Sequence, residues 1–146
     1  MAVRRAFPTI LSDRLAETRD FYVTLLGFEV AYDSDWFVSL QLREREGTHG
    51  LGIWQVGHEL VPATFRAEPA GMILTFVVDD VDDLHAEARR AGLPVVAPPR
   101  DLFYGQRQML LNDPNGVLVD VSLPCTPSPA FRAELERRGS AREAAR

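Results

Sequence analysis

Two stretches of this chain run through the same order of elements, and that internal repeat limits the fold more than any other feature. Residues 6–56 read as strand, helix, strand, strand, strand, and residues 71–123 read the same way after a connector over 57–70. Placing Asp13 on Asp80 sets the offset at 67 residues and carries Gly27 close to Gly92. The pattern is a duplicated βαβββ unit. Each unit brings one helix, which covers one face of its sheet, so the other face is left for a partner, a ligand or both.

In the first unit Ala6 to Leu11 is a short apolar strand, and Ser12 and Asp13 are helix-capping residues. Leu15, Phe21, Tyr22, Leu25 and Leu26 recur at near-helical spacing, which predicts a helix over 15–26 closed by Gly27. Strands follow at Phe28 to Tyr32, Trp36 to Leu42 and Leu51 to Val56, with a polar turn over 33–35 and a charged loop from Arg43 to His49. In the second unit Met72 to Val78 is a strand, and Asp79 and Asp80 cap a helix that runs to about Ala91 and ends at Gly92. Val95 and Val96 begin a short strand that gives way to a Pro98-Pro99 loop. Strands at Arg107 to Leu111 and Val117 to Ser122 flank the turn Asn112 to Gly116. The expected organisation is one domain over 1–123 and a tail over 124–146. In the tail three prolines precede an Ala-, Glu- and Arg-rich helix, read as a solvated appendage, with a dimer-clasping arm as the alternative.

Composition closes several function classes. The chain has 146 residues, 46% apolar and 25% charged, with net charge −5, so it needs no disulfide or structural metal to fold. The acidic balance argues against a nucleic acid partner. All 16 basic residues are Arg, which removes Schiff-base lysine chemistry. Cys125 is the single cysteine and cannot pair within the chain. No apolar run approaches a membrane span and no signal-peptide pattern opens the chain, so the expectation is a cytoplasmic protein without a membrane partner.

Three motifs carry a resemblance: Arg19-Asp20-Phe21-Tyr22 through Leu26-Gly27-Phe28, Val78-Asp79-Asp80-Val81-Asp82, and Asn112-Asp113-Pro114-Asn115-Gly116-Val117. Together, over roughly residues 6–123, they resemble the vicinal oxygen chelate superfamily, which includes glyoxalase I, extradiol dioxygenases, fosfomycin resistance enzymes and bleomycin resistance proteins. The resemblance implies an α+β fold of two βαβββ modules. It also implies a divalent metal held by a His near the start of each unit's first strand and an acidic residue on each unit's last strand. Counted from Asp13 and Asp80, the His positions fall at Ala6 and Ile73; the acidic positions fall at Asp120 and near Leu51 or Ile53. One donor of four remains, fewer than the roughly three protein ligands a catalytic metal needs, so no metal and no cofactor are expected. His49, His58 and His85 read as surface residues, with His58 and Glu59 able to join a site if the connector folds over it.

Without a metal, recognition rests on shape, stacking and hydrogen bonds. In the strand from Trp36, alternation puts Trp36, Val38, Leu40 and Leu42 under the helix and Phe37, Ser39, Gln41 and Arg43 on the other side. Phe37, Ser39 and Gln41 are candidate ligand contacts, and Arg43 equally suits a solvent-facing edge. The segment Asp101 to Arg107 is similar to a loop of metal-free antibiotic-binding members of the superfamily, such as mitomycin-binding proteins. By that resemblance Tyr104 stacks on a flat ring while Gln106 or Arg107 bonds its carbonyls; alternatively, Phe103 and Tyr104 cap the core at a sheet edge. Trp54 is a further candidate, although counting from the metal positions turns it toward the helix. Thr75 is added from the second unit, and Asp120 reads either as an acceptor for the ligand or as a partner for Arg107.

The resemblance implies a homodimeric, metal-independent protein that sequesters a planar, antibiotic-like molecule and has no catalytic residues. The alternatives are a metal-free isomerase, cyclase or lyase of the same fold, with Asp120, Tyr104 or Arg107 supplying acid, base or oxyanion support, and a non-catalytic interaction module whose concave face is filled by its own side chains.

Overall fold

The structure is a computed structural model, and it describes residues 2–44 and 47–144. Arg45 and Glu46, inside the expected Arg43 to His49 loop, and Ala145 and Arg146 of the expected tail helix lie outside the described residues. The chain forms two compact units: residues 1–73 with 112–118, and residues 74–111 with 119–146.

The first unit holds β1 (Thr9–Ser12), α1 (Leu15–Leu26), β2 (Glu29–Asp33), β3 (Phe37–Glu44) and β4 (Gly47–Gln55). Its sheet has the order β1-β4-β3-β2, with β1 parallel to β4 and the remaining pairs antiparallel. α1 packs on β2, β3 and β4. The core on that side is Ile10, Phe21, Tyr22, Leu25, Val38, Leu40, Leu51 and Ile53, all under one-tenth exposed. Gly27 ends α1 in the left-handed region, φ 69°; its N–H donates to the Val23 carbonyl at 3.2 Å and the Phe28 N–H donates to the Tyr22 carbonyl at 3.4 Å.

The second unit is built from β5 (Ile73–Val77), α2 (Val81–Arg90), β6 (Val95–Leu102), β7 (Gln106–Asn112), β8 (Leu118–Pro124) and α3 (Pro129–Ala144). Its sheet order, β5-β8-β7-β6, repeats that of the first. The α+β fold of two βαβββ modules with a C-terminal helix is therefore present. No helix among the described residues is long and apolar enough to cross a membrane.

Two local expectations are corrected. α1 is capped by Arg14 rather than by Asp13, because the Ser12 hydroxyl accepts the Arg14 N–H at 2.9 Å and holds the chain one residue further before the first turn. In α2 the expected cap forms: Asp80 accepts the Asp83 N–H at 2.9 Å. Pro98 and Pro99 lie inside β6 and not in a loop. β6 is an edge strand with a register shift between Ala97 and Arg100, which is where proline's missing N–H costs no ladder bond.

The tail is anchored at its root. Cys125 N–H donates to the Gly105 carbonyl and Ser128 N–H to the Phe103 carbonyl, each at 2.9 Å. The Phe131 ring meets Phe103 edge-on at 5.5 Å, whereas α3 itself buries no residue.

Candidate functional site

Pairing register assigns the faces of the first sheet. Val38 opposes Ile53 and Leu40 opposes Leu51, all four buried on the α1 side. Alternation then puts Phe37 with Trp54, Ser39 with Gly52 and Gln41 with Gly50 on the open face, where Thr9 stands beside Gly52. The sequence-derived set Phe37, Ser39, Gln41 and Trp54 is thus brought together on one face. Trp54 does not turn toward the helix; Leu51 and Ile53 do, so Gly52 is the open-face residue of that stretch.

An aromatic cluster occupies one end of this face. A bulge in β2 between Val30 and Tyr32 restores Tyr32 to the open side opposite Ser39, and its ring lies 5.6 Å from Phe37. The Trp54 ring is edge-on to Phe37 at 6.2 Å and to Trp36 at 5.5 Å. Trp36 was expected under the helix. It precedes β3, where the Ser34 hydroxyl accepts the Phe37 N–H at 3.1 Å, and pleat alternation does not govern it there.

His58 was expected at the surface but is half-buried, stacked on Trp36 with centroids 4.4 Å apart and planes 17° from parallel. A tight turn returns it, with His58 N–H donating to the Gln55 carbonyl at 3.0 Å. The hydroxyl of Ser39 and the amide of Gln41, both half-buried, have no hydrogen-bond partner among the described side chains and are free for a ligand.

In the second unit Met109, Leu111, Val119 and Val121 are fully buried, which gives their parity to the α2 side. Arg107 shares that parity. Its guanidinium is tied to both oxygens of Asp82 on α2, at 2.7 and 2.8 Å, and to Asp101 at 2.8 Å. Those bonds hold the Asp82 carboxyl below the usual carboxylate range. Arg107 is therefore not presented with Gln106 on the open face, and it is not the partner of Asp120. Asp120 Oδ2 accepts from the Thr75 hydroxyl at 3.2 Å, while Asp120 Oδ1 and Gln106 Oε1 are buried without partners among the described residues. Phe103 and Tyr104 are 65% and 41% exposed and meet edge-on at 5.4 Å, beside the tail root.

With Arg14 as the true cap, the count back in the first unit ends on Phe7 instead of Ala6, while Ile73 is unchanged. The Thr75–Asp120 pair is matched in the first unit by Thr9 beside Gly52. Phe7, Ile73 and Gly52 offer no donor, so the residues present do not fit a divalent metal. Among the described residues, no group of three or more His, Cys, Asp or Glu stands close enough to hold one.

A cleft of about 350 Å³ opens elsewhere in the first unit, between Ser12, Arg14, Arg66, Glu68 and Asn115. Part of its polar lining is already engaged: Ser12 bonds Asn115, and Arg66 donates to the carbonyls of Val61 and His58. No aromatic ring lines this cleft, whereas the open face joins rings to unengaged polar groups.

Comparison with known proteins agrees with this fold. A crystal structure of a glyoxalase/bleomycin resistance protein/dioxygenase from Nocardioides is 18% identical, with TM-score 0.66 over 88% of this chain and 90% of that one. A superfamily member from Sphaerobacter thermophilus is 21% identical, with TM-score 0.65 over 83% of this chain and 98% of that one. A virulence protein from Salmonella typhimurium is 24% identical, with TM-score 0.65 over 85% and 99%. At such identities these structures show the fold alone. No curated protein matches the chain. The family model of the Glyoxalase/Bleomycin resistance protein/Dioxygenase superfamily matches residues 6–121, and the chain belongs to that superfamily.

Proposed function

We propose that this protein binds and sequesters a flat, partly polar, antibiotic-like molecule on the open face of its first sheet, without a metal and without breaking a bond. The observation that carries the reading is the ring cluster of Trp36, Phe37 and Trp54 standing beside the unengaged Ser39 and Gln41. Stacking and apolar burial supply affinity; the half-buried amide and hydroxyl discriminate, because a wrong ligand covers them and leaves them unpaired. The protein acts as a homodimer in this reading. Ile73 and Val77, 58% and 66% exposed on the second sheet, are apolar surface that a second copy would cover.

The second reading, a metal-free isomerase, cyclase or lyase, draws on the unpartnered buried oxygen of Asp120, which suits a group that takes up a proton from a substrate.

Thermal shifts of EDTA-treated protein against planar aromatic antibiotics and divalent metals test the proposal. Stabilisation by an organic ligand that is recovered unchanged supports sequestration. Recovery of a converted product supports the enzyme, and stabilisation by a metal alone contradicts both.

A further inference from the structure

Arg5 lies beside Gly50, where β4 brings no side chain to the open face of the first sheet. Its guanidinium carbon sits 4.8 Å from the centroid of the Phe7 ring. Both residues rest against the bare Cα of Gly50: a Cβ there would fall 2.7 Å from Arg5 Nη2 and 3.3 Å from Phe7 Cβ. Gly50 pairs with Gln41, Gly52 with Ser39 and Trp54 with Phe37, so Arg5, the free polar groups and the rings follow one another along a single face.

Among the described residues, no carboxylate is ion-paired with Arg5. Arg19 and Arg107 each hold two carboxylates, and Arg14, Arg90 and Arg138 each hold one. Arg66 is engaged by two carbonyls. Arg5 has a ring to restrain it and no acid partner among the described residues. A guanidinium laid on an aromatic ring has lost part of its freedom while keeping its outer N–H groups for a planar, two-oxygen anion.

We propose that the ligand of this face carries an anionic group, a carboxylate or its equivalent, that Arg5 receives while the ring system lies on Trp54 and Phe37. Four residue steps along β4 lead from Gly50 to Trp54, which places the anion within roughly 13 Å of the rings. The inference rests on the reading of this face as the site of a flat ligand, and it narrows that ligand to an aromatic acid.

Anthraquinone-2-carboxylate and its neutral carboxamide are the probes, titrated at low ionic strength against tryptophan fluorescence in the unmodified protein, Arg5→Gln and Trp54→Ala. The unmodified protein should bind the carboxylate about fivefold more tightly than the carboxamide, the scale of one partly exposed ion pair, and Arg5→Gln should erase the difference. Equal affinity for the two in the unmodified protein, with both weakened in Trp54→Ala, overturns the role of Arg5 and leaves the flat-ligand reading standing. Failure of both probes to bind overturns the two together.

Discussion

The hydroxyl of Tyr22, on α1, donates to Asp113 Oδ2 at 3.0 Å in the interior of the first unit, across 91 residues of sequence. Asp113 also receives the backbone N–H groups of Asn115 and Val117, at 2.8 and 2.9 Å. Asn115 reaches Ser12 and Thr18. The turn between β7 and β8 thus belongs to the first unit, tied by a buried network in which every Asp113 oxygen is engaged. That is a physical reason for the Asn-Asp-Pro-Asn-Gly segment, beyond its suitability for a turn.

Tyr22→Phe removes one bond and keeps the ring, so it should cost about 1–2 kcal/mol. Asp113→Ala strands two backbone donors and the tyrosine, and should cost about 3 kcal/mol or more. Urea midpoints at unchanged slope measure both. Losses below about 0.5 kcal/mol in each would show that the network does not hold the turn.

The same pair predicts an alkaline signature. Burial first, and then the Asp113 charge and hydrogen bond, raise the Tyr22 pKa well above its ordinary value of 10.0. The unfolded chain therefore releases this proton near pH 10 while the folded chain keeps it. Stability from this group is complete below about pH 10 and falls above it, by about 1.4 kcal/mol per pH unit. With no lysine in the chain to titrate in that range, the decline should be visible between pH 9 and 11 by urea denaturation and shallower in Tyr22→Phe. Identical profiles would contradict the assignment.

Arg107 serves the helix side of the second sheet. Its removal should leave binding of a flat ligand unchanged, because both of its carboxylate partners lie off the open face. The effect should appear in acid instead. Asp82 is held below its ordinary value by Arg107, so its contribution is present above about pH 4 and is lost as pH falls further. Arg107→Gln should make the stability profile flatter below pH 4. A tenfold loss of ligand affinity in this variant would return Arg107 to the site.

Gly105 holds the tail. It sits at φ 101°, and a Cβ there would meet Pro127 Cγ at 2.8 Å and the Cys125 carbonyl oxygen at 2.9 Å. Gly105→Ala combines backbone strain with these clashes and should release the Cys125 and Ser128 amides. Hydrogen exchange of those two amides is the readout. Unchanged protection would mean that the tail is anchored by something other than this turn.

Much of the fold was legible because the repeat shows in apolar spacing and in residues with one local role. Leu15 to Leu26 with Gly27, and Asp80 before Val81, state their elements directly. What stayed hidden depends on partners distant in sequence. Asp13 is a good capping residue, yet the neighbouring Ser12 hydroxyl takes the Arg14 N–H. Pro98 and Pro99 read as a loop until β6 is known to be an edge. The face of Trp54 follows only from its pairing with Phe37, and Arg107 looked like a ligand contact because nothing local announces Asp82. His58 and Arg5 join the open face through a turn and a ring contact that hydrophobic periodicity does not record.

The central claim is that the rings of the first sheet receive a flat ligand. The chain has two tryptophans, Trp36 and Trp54, and both stand in that cluster, so the two indole N–H resonances report on it. The most direct measurement follows these resonances in metal-free, isotope-labelled protein as anthraquinone-2-carboxylate is added, with Trp36→Phe and Trp54→Phe assigning each signal. Saturable movement of both indole signals is the predicted result. Binding that leaves both unmoved while shifting the Phe103 to Gln106 amides would contradict the claim and move the site to the second unit.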